Sequence, residues 1–197
     1  MSIYRVKQYG LEQGALEIQY IEELFGEFHR KKTGNEIIAR LRGREHLILM
    51  AEAPLPDEPS VMAPVAFKVA HELRRVETDP VLQDLVGRLS ECVPFESQRV
   101  LYSWIGGTRS DWRGQGHFRA LTEQQEGWAL EQGYDQLVVK TKNKYYGMRS
   151  TLDRLGFDVI KFERAPADNG ESKLYLSKRI SRDLVETHRT RRAVVTA

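Results

Sequence analysis

One stretch limits what this chain can become more than any other. A run of strand-forming residues from Val100 ends in Trp104-Ile-Gly-Gly, and a helical pattern begins at His117. Between them lies Thr108-Arg-Ser-Asp-Trp-Arg-Gly-Gln-Gly116. Strand, tight loop and helix in that order belong to an α/β layer architecture. Gly114 and Gly116 let the backbone turn sharply and approach a ligand closely. The first N–H groups of a helix have no intrahelical acceptor, and they sit at the positive end of the helix dipole, so the loop leads into an anion site. Arg113 adds a full charge and a forked donor suited to phosphate.

The two common phosphate fingerprints do not fit. There is no Gly-Lys-Ser/Thr triplet, and Arg119 stands where the dinucleotide pattern needs its third glycine. A lone Gly-x-Gly also occurs in purely structural turns, so the flanking elements decide.

On the N-terminal side, residues 3–7 suit a short strand. Leu16, Ile21, Leu24, Phe25 and Phe28 then share a helical face. Thr33-Gly-Asn-Glu36 has the form of a capping box, with Ile37, Ile38 and Leu41 behind it. His46 to Ala51 reads as a buried strand. Prolines at 54, 56 and 59 make residues 54–60 a loop, and Val65, Phe67 and Val69 alternate as in a half-buried strand. Asp79-Pro80 reads as N-cap and first residue of an amphipathic helix over 79–91, carrying Leu82, Leu85, Val86 and Leu89.

Beyond the loop, a helix over 117–132 carries Phe118, Leu121, Trp128 and Ala129 and stops at Gly133. A strand at 137–139, a helix over 145–155 and strands at 157–163 and 172–177 follow. This order predicts a mixed sheet with helices on both faces, a three-layer α/β/α domain over residues 1–180, with 181–197 as a basic tail or helix. The tail carries Lys178, Arg179, Arg182, Arg189, Arg191 and Arg192, diluted by Asp183 and Glu186. Salt-sensitive binding of nucleic acid through these arginines is a third-ranked reading.

Charge and cysteine content narrow the classes. With 30 basic and 28 acidic side chains the net charge is +2, which gives no global drive toward nucleic acid or anionic membrane. No stretch approaches the roughly 18 apolar residues of a membrane span, and no apolar signal core opens the chain, so the expected setting is cytoplasmic. Cys92, the single cysteine, excludes an intramolecular disulfide and a cysteine zinc cluster. It is expected to be a small buried apolar residue.

Arg113-x-x-Gly116-x-x, between strand and helix, resembles motif A of the GNAT superfamily of N-acetyltransferases, written Arg/Gln-x-x-Gly-x-Gly/Ala. Thr141-Lys-Asn143, Gly147-Met148 and Leu152-Asp-Arg-Leu-Gly156-Phe157 resemble the same family's fifth strand, following helix and Leu-Gly-Phe turn. The likeness covers roughly residues 62–178. It implies an acyl-CoA N-acyltransferase fold with an inserted helix between the third and fourth strands. It also implies a function, the transfer of an acetyl group from acetyl-CoA to a primary amine without a metal. In that family a bulge splays two parallel strands around the pantetheine. By resemblance, Ile105, Gly106 and Thr108 face the pantetheine. Arg113, Gly114, Gln115, Gly116, His117 and Phe118 wrap the pyrophosphate mainly through backbone N–H, and Asn143 holds the cofactor or orients the thioester.

Two positions depart from the pattern. Phe118 stands where the motif has Gly or Ala, packing inward or crowding the phosphates. Leu152 occupies the place, five residues before Phe157, where the family often carries the tyrosine that protonates the leaving thiolate. The candidate acids and bases are therefore Tyr145 and Tyr146, which open the helix after Asn143, and Glu96, just upstream of the fourth strand, with Glu72, which ends the third strand, as the other nearby carboxylate. Each also reads as core or surface. The acceptor amine is not named by the sequence. The 79–91 helix walls the acceptor pocket, pairs two copies as a homodimer, or only packs on the sheet. An alternative keeps the fold and drops the chemistry, leaving a CoA-sensing or partner-binding module.

Overall fold

A strand at Arg5–Tyr9 (β1) opens the computed structural model, which describes residues 5–11, 16–24 and 32–196. The remaining elements are α1 (Leu16–Leu24), α2 (Gly34–Leu41), β2 (His46–Pro54), β3 (Met62–Leu73), α3 (Pro80–Leu89), β4 (Val100–Thr108), α4 (His117–Glu131), β5 (Gln136–Lys142), α5 (Tyr146–Arg154), β6 (Asp158–Glu163), β7 (Lys173–Arg179) and α6 (Arg182–Thr196). The strands follow the order β1-β2-β3-β4-β5-β7-β6. The mixed α/β class expected from the sequence is the one found, including the helix between the third and fourth strands. Phe25, Phe28 and the start of the first expected strand lie outside the described residues. No helix among the described residues is long and apolar enough to cross a membrane.

The chain falls into two compact units, residues 1–71 with 104–125 and residues 72–103 with 126–197. In the first, β1 pairs antiparallel with β2, and β2 with β3. Its core is Ile18, Ile21, Ile37, Leu41, Ile48, Met50, Phe67 and Val69, with Tyr9, Ile38, Trp104 and Ile105 packed against it. The capping box forms as expected, with Glu36 N–H donating to Thr33 Oγ1 at 3.2 Å and Thr33 N–H to the Glu36 carboxylate at 2.8 Å. Pro64 has no N–H for the ladder, and the β2–β3 register slips beside it, with Ala51 opposite Ala66 and Glu52 opposite Pro64. Val65, the extra residue, turns its carbonyl to the Arg109 N–H at 2.9 Å and thereby fixes where the loop after β4 begins.

In the second unit β4 and β5 are parallel over Val100–Tyr102 and Gln136–Val138, and β7 pairs antiparallel with both β5 and β6. Asp79 caps α3, accepting from Val81 N–H at 2.8 Å, with Pro80 in the first turn. Leu82, Leu85, Val86 and Leu89 form its buried face, as their spacing requires. Arg88 on α3 donates to Glu163 of β6 at 2.8 Å, and Lys161 of β6 donates to the Arg88 carbonyl at 2.7 Å, so α3 is tied to the β6 strand. Cys92 is exposed, which corrects the expectation of a buried thiol. It follows the end of α3 and belongs to the loop rather than to the helix's apolar face.

Candidate active site

The loop after β4 is framed by two buried rings. Trp112 closes a single 3-10 turn, Ser110–Trp112, and its indole lies 5.8 Å from the imidazole of His117, the first residue of α4. Both side chains are buried, while Arg113, Gly114, Gln115 and Gly116 between them are exposed. Arg109 and Asp111 brace the approach with paired contacts at 3.1 and 2.6 Å.

Gly114 has φ +80° and Gly116 φ +86°, a left-handed conformation that glycine adopts without strain. A Cβ built on either would meet nothing within 4 Å. The loop therefore presents open backbone ahead of a helix start. Arg113 is exposed and donates from Nε to the Thr108 carbonyl at 3.2 Å, which folds its side chain back along the end of β4. The His117 ring is turned into the interior, so only its backbone faces the loop. Burial holds its imidazole below the usual 6.5, and the ring is neutral at pH 7.

The side chain of Phe118 packs inward. A Cβ on Gly106 would come 3.2 Å from Phe118 Cε2 and 3.1 Å from the Phe67 carbonyl. The ring thus occupies space that Gly106 leaves open, beneath the ammonium of Lys68, 4.2 Å from the ring centroid. Of the two dispositions open to it from the sequence, the ring takes the inward one, against Gly106 and Lys68. Ile105 and Thr108 complete this group within the first unit. Ile105 packs on the core and Thr108 is half-buried.

The other candidates lie in the second unit. Asn143 sits where β5 ends. Its N–H donates to the Ser172 carbonyl at 2.8 Å, its Nδ2 donates to the Asn169 carbonyl at 3.1 Å, and its Oδ1 accepts from Arg149 at 2.6 Å. Its side chain therefore fixes the turn between β5 and α5. Glu171, against the same turn, is held down to about 2 by hydrogen bonds from Lys142 and Lys144. Tyr145 and Tyr146 are both exposed, Tyr146 at 69%. Glu96 is exposed and engaged by Arg75 at 2.7 Å. Glu72 is tied to Arg74 at 2.7 Å.

The parallel ladder of β4 with β5 stops at Tyr102 and Val138, although β4 runs on to Thr108 and β5 to Lys142, a parting of parallel strands that only the family resemblance implied. Lys68, deep in β3, reads in sequence as the polar half of an alternating strand yet is only 2% exposed. Neither carries a local sequence signal.

No protein-family model and no curated protein matches this sequence. Solved structures do. One is NAA60 of Arabidopsis thaliana in complex with acetyl-CoA, 11% identical, with 90% of this chain and 99% of that chain covered at a TM-score of 0.64. Another is the ribosomal-protein-S18-alanine N-acetyltransferase of Escherichia coli, 15% identical, covering 91% and 95% at 0.58. Nourseothricin acetyltransferase aligns at 16% identity over 90% and 99%, with a TM-score of 0.56. The chain has the GNAT fold.

That assignment gives the loop geometry its context. Strand, left-handed glycines and helix start follow one another in the order expected from the sequence. Among the described residues no group of three or more His, Cys, Asp or Glu side chains is placed to hold a metal ion.

Proposed function

We propose that the chain is an acetyl-CoA-dependent N-acetyltransferase acting on a primary amine. The Arg113–Gly116 turn carries this reading, being exposed, left-handed at Gly114 and Gly116, and followed at once by the first turn of α4. Arg113 and the backbone N–H groups from Gly114 to Phe118 receive the pyrophosphate of CoA. The backbone at Ile105, Gly106 and Thr108 pairs with the pantetheine amides. Asn143 contributes through the turn it holds rather than through a free carboxamide.

Transfer requires a neutral amine. Its lone pair attacks the thioester carbonyl carbon, the C–N bond forms, and collapse of the tetrahedral adduct breaks the C–S bond. The nitrogen loses a proton and the departing thiolate gains one. Tyr146 and Tyr145 are the candidate donors to the sulfur. Glu96 is the candidate acceptor of the amine proton, and it must leave Arg75 to act.

Thermal unfolding with acetyl-CoA, CoA or ATP tests the cofactor half of this reading. A ligand at about 100 times its dissociation constant stabilises the folded state by roughly 2.7 kcal/mol. A shift with acetyl-CoA and CoA but not ATP is expected, and no shift with any of them removes the proposal. Release of free CoA thiol across a panel of amines tests the chemistry.

A second reading, a CoA-binding module without turnover, is favoured by two observations. β4 carries no carboxylate from Val100 to Thr108, and Glu96 is already paired. Binding of acetyl-CoA without thiol release from any amine would select it.

A further inference from the structure

Lys140 of β5 stands opposite Tyr175 of β7, and Tyr175 stands opposite Lys161 of β6, so the three side chains share one face of the sheet. The next row on that face is Lys142, Lys173 and Glu163. α3 lies against this face, where Arg88 donates to Glu163 at 2.8 Å and to Asp84 at 2.7 Å. The Tyr175 hydroxyl donates to the other Glu163 oxygen at 3.1 Å, Lys161 donates to the Arg88 carbonyl at 2.7 Å, and Lys142 is held by Glu171. Lys140 is exposed, and its ammonium makes no hydrogen bond or ion pair among the described residues. Although solvent reaches it, the protein packed around it and the Lys173 ammonium hold it below the ordinary 10.5. Asp84 and Glu163 attract it from further off, but Arg88 already engages both carboxylates. Such a cation gains from a carboxylate that a ligand brings.

The place of Lys140 along β5 indicates which ligand. The parallel ladder with β4 ends at Val138, on the same face as Lys140 and about 7 Å before it. On the proposed reading the acyl end of the cofactor lies where these strands part. α4 packs on the opposite face, where its Glu126 binds Lys178, the β7 partner of Leu137. A cofactor held by the start of α4 leaves the Lys140 face to the attacking amine. The step from Val138 to Lys140 suits an acid several bonds from the reacting nitrogen. We propose that Lys140 receives the side-chain carboxylate of the acceptor, so that the substrate is the amine of an acidic amino acid, free or leading a peptide. Lys140 is then a specificity-determining residue. This inference rests on reading the chain as an acetyl-CoA-dependent N-acetyltransferase.

Release of CoA thiol from acetyl-CoA with matched acceptors tests the proposal. Aspartate is compared with asparagine and glutamate with glutamine, first as free amino acids and then as the leading residue of a tripeptide amide. Each pair differs only by carboxylate against carboxamide. The wild-type protein is expected to favour the acidic member about five- to tenfold in kcat/KM, and the series that shows the preference identifies a free amino acid or a peptide as its source. Lys140→Met should bring the ratio close to one, chiefly by raising KM for the acidic member. Lys140→Glu should turn the preference toward the amide, which a merely structural lysine would not do. Wild-type turnover without an acidic preference in either series, or a preference that survives both substitutions, overturns the inference and leaves the chain an acetyltransferase. No thiol release from the wild type with any amine overturns that reading and this inference with it.

Discussion

The Trp112 indole and the His117 imidazole meet 5.8 Å apart at 56°, closing the base of a loop whose four intervening residues are exposed. A loop anchored at both ends by buried rings would, on the proposed reading, lose little conformational freedom when an anion binds. Trp112→Ala should cost about 3–5 kcal/mol of stability, read by urea unfolding. Ligand affinity at the loop should fall with it, because the frame is lost along with the core contact.

His117 also gives the loop a pH signature. Its imidazole is neutral in the folded protein, with a value lowered from 6.5 by burial, whereas the unfolded chain protonates near the ordinary value. Between those two values the unfolded state binds more protons, so stability declines as pH falls below 6.5 and levels off below the folded value. Urea midpoints measured from about pH 7 to about pH 5 should show this slope in the wild type. His117→Gln should flatten it.

At Gly114 and Gly116 the cost of a side chain is conformational rather than steric, since a Cβ at either meets nothing within 4 Å. Gly116→Ala should destabilise by about 1–2 kcal/mol through its left-handed backbone alone. Gly116→Asn should be milder, because asparagine tolerates that region, and Gly116→Val worse. At Gly106 the reverse holds. Its Cβ would meet Phe118 Cε2 at 3.2 Å and the Phe67 carbonyl at 3.1 Å. Gly106→Ala should cost about 1–3 kcal/mol by overpacking. Phe118→Ala in the same chain should relieve only part of that, since the Phe67 carbonyl remains, and a double-mutant cycle on urea midpoints would measure the coupling.

Much of the fold was legible because it was written locally. The Thr33–Glu36 box, the Asp79-Pro80 helix start and Gly133 after α4, at φ +74°, each need only a few neighbouring residues. The glycine loop belonged to the same class. What could not be read depends on distant partners. The direction taken by Phe118 is set by Gly106 on one strand and Lys68 on another. The pairing of Glu96 depends on Arg75, and the end of the β4–β5 ladder is a property of two strands at once. Buried charge was hidden for a further reason. Glu123 and Glu126 look like solvated helix positions, but both are buried.

Glu126 makes the sharpest case. It is fully buried on α4, with Lys178 of β7 at 2.7 Å from one oxygen and His188 of α6 at 2.6 Å from the other. Its two partners come from 52 and 62 residues away and tie the C-terminal helix to the end of α4. Removing the carboxylate while keeping Lys178, whose side chain is 8% exposed, leaves a buried ammonium without its counter-charge. Glu126→Leu should therefore cost about 3–5 kcal/mol. Replacing both residues, Glu126→Leu with Lys178→Met, should recover most of that loss, because an apolar pair incurs no desolvation of charge. Urea unfolding of the two single variants and the double gives the coupling directly. A double variant no more stable than Glu126→Leu alone would mean that the penalty comes from packing or from His188, not from the stranded ammonium.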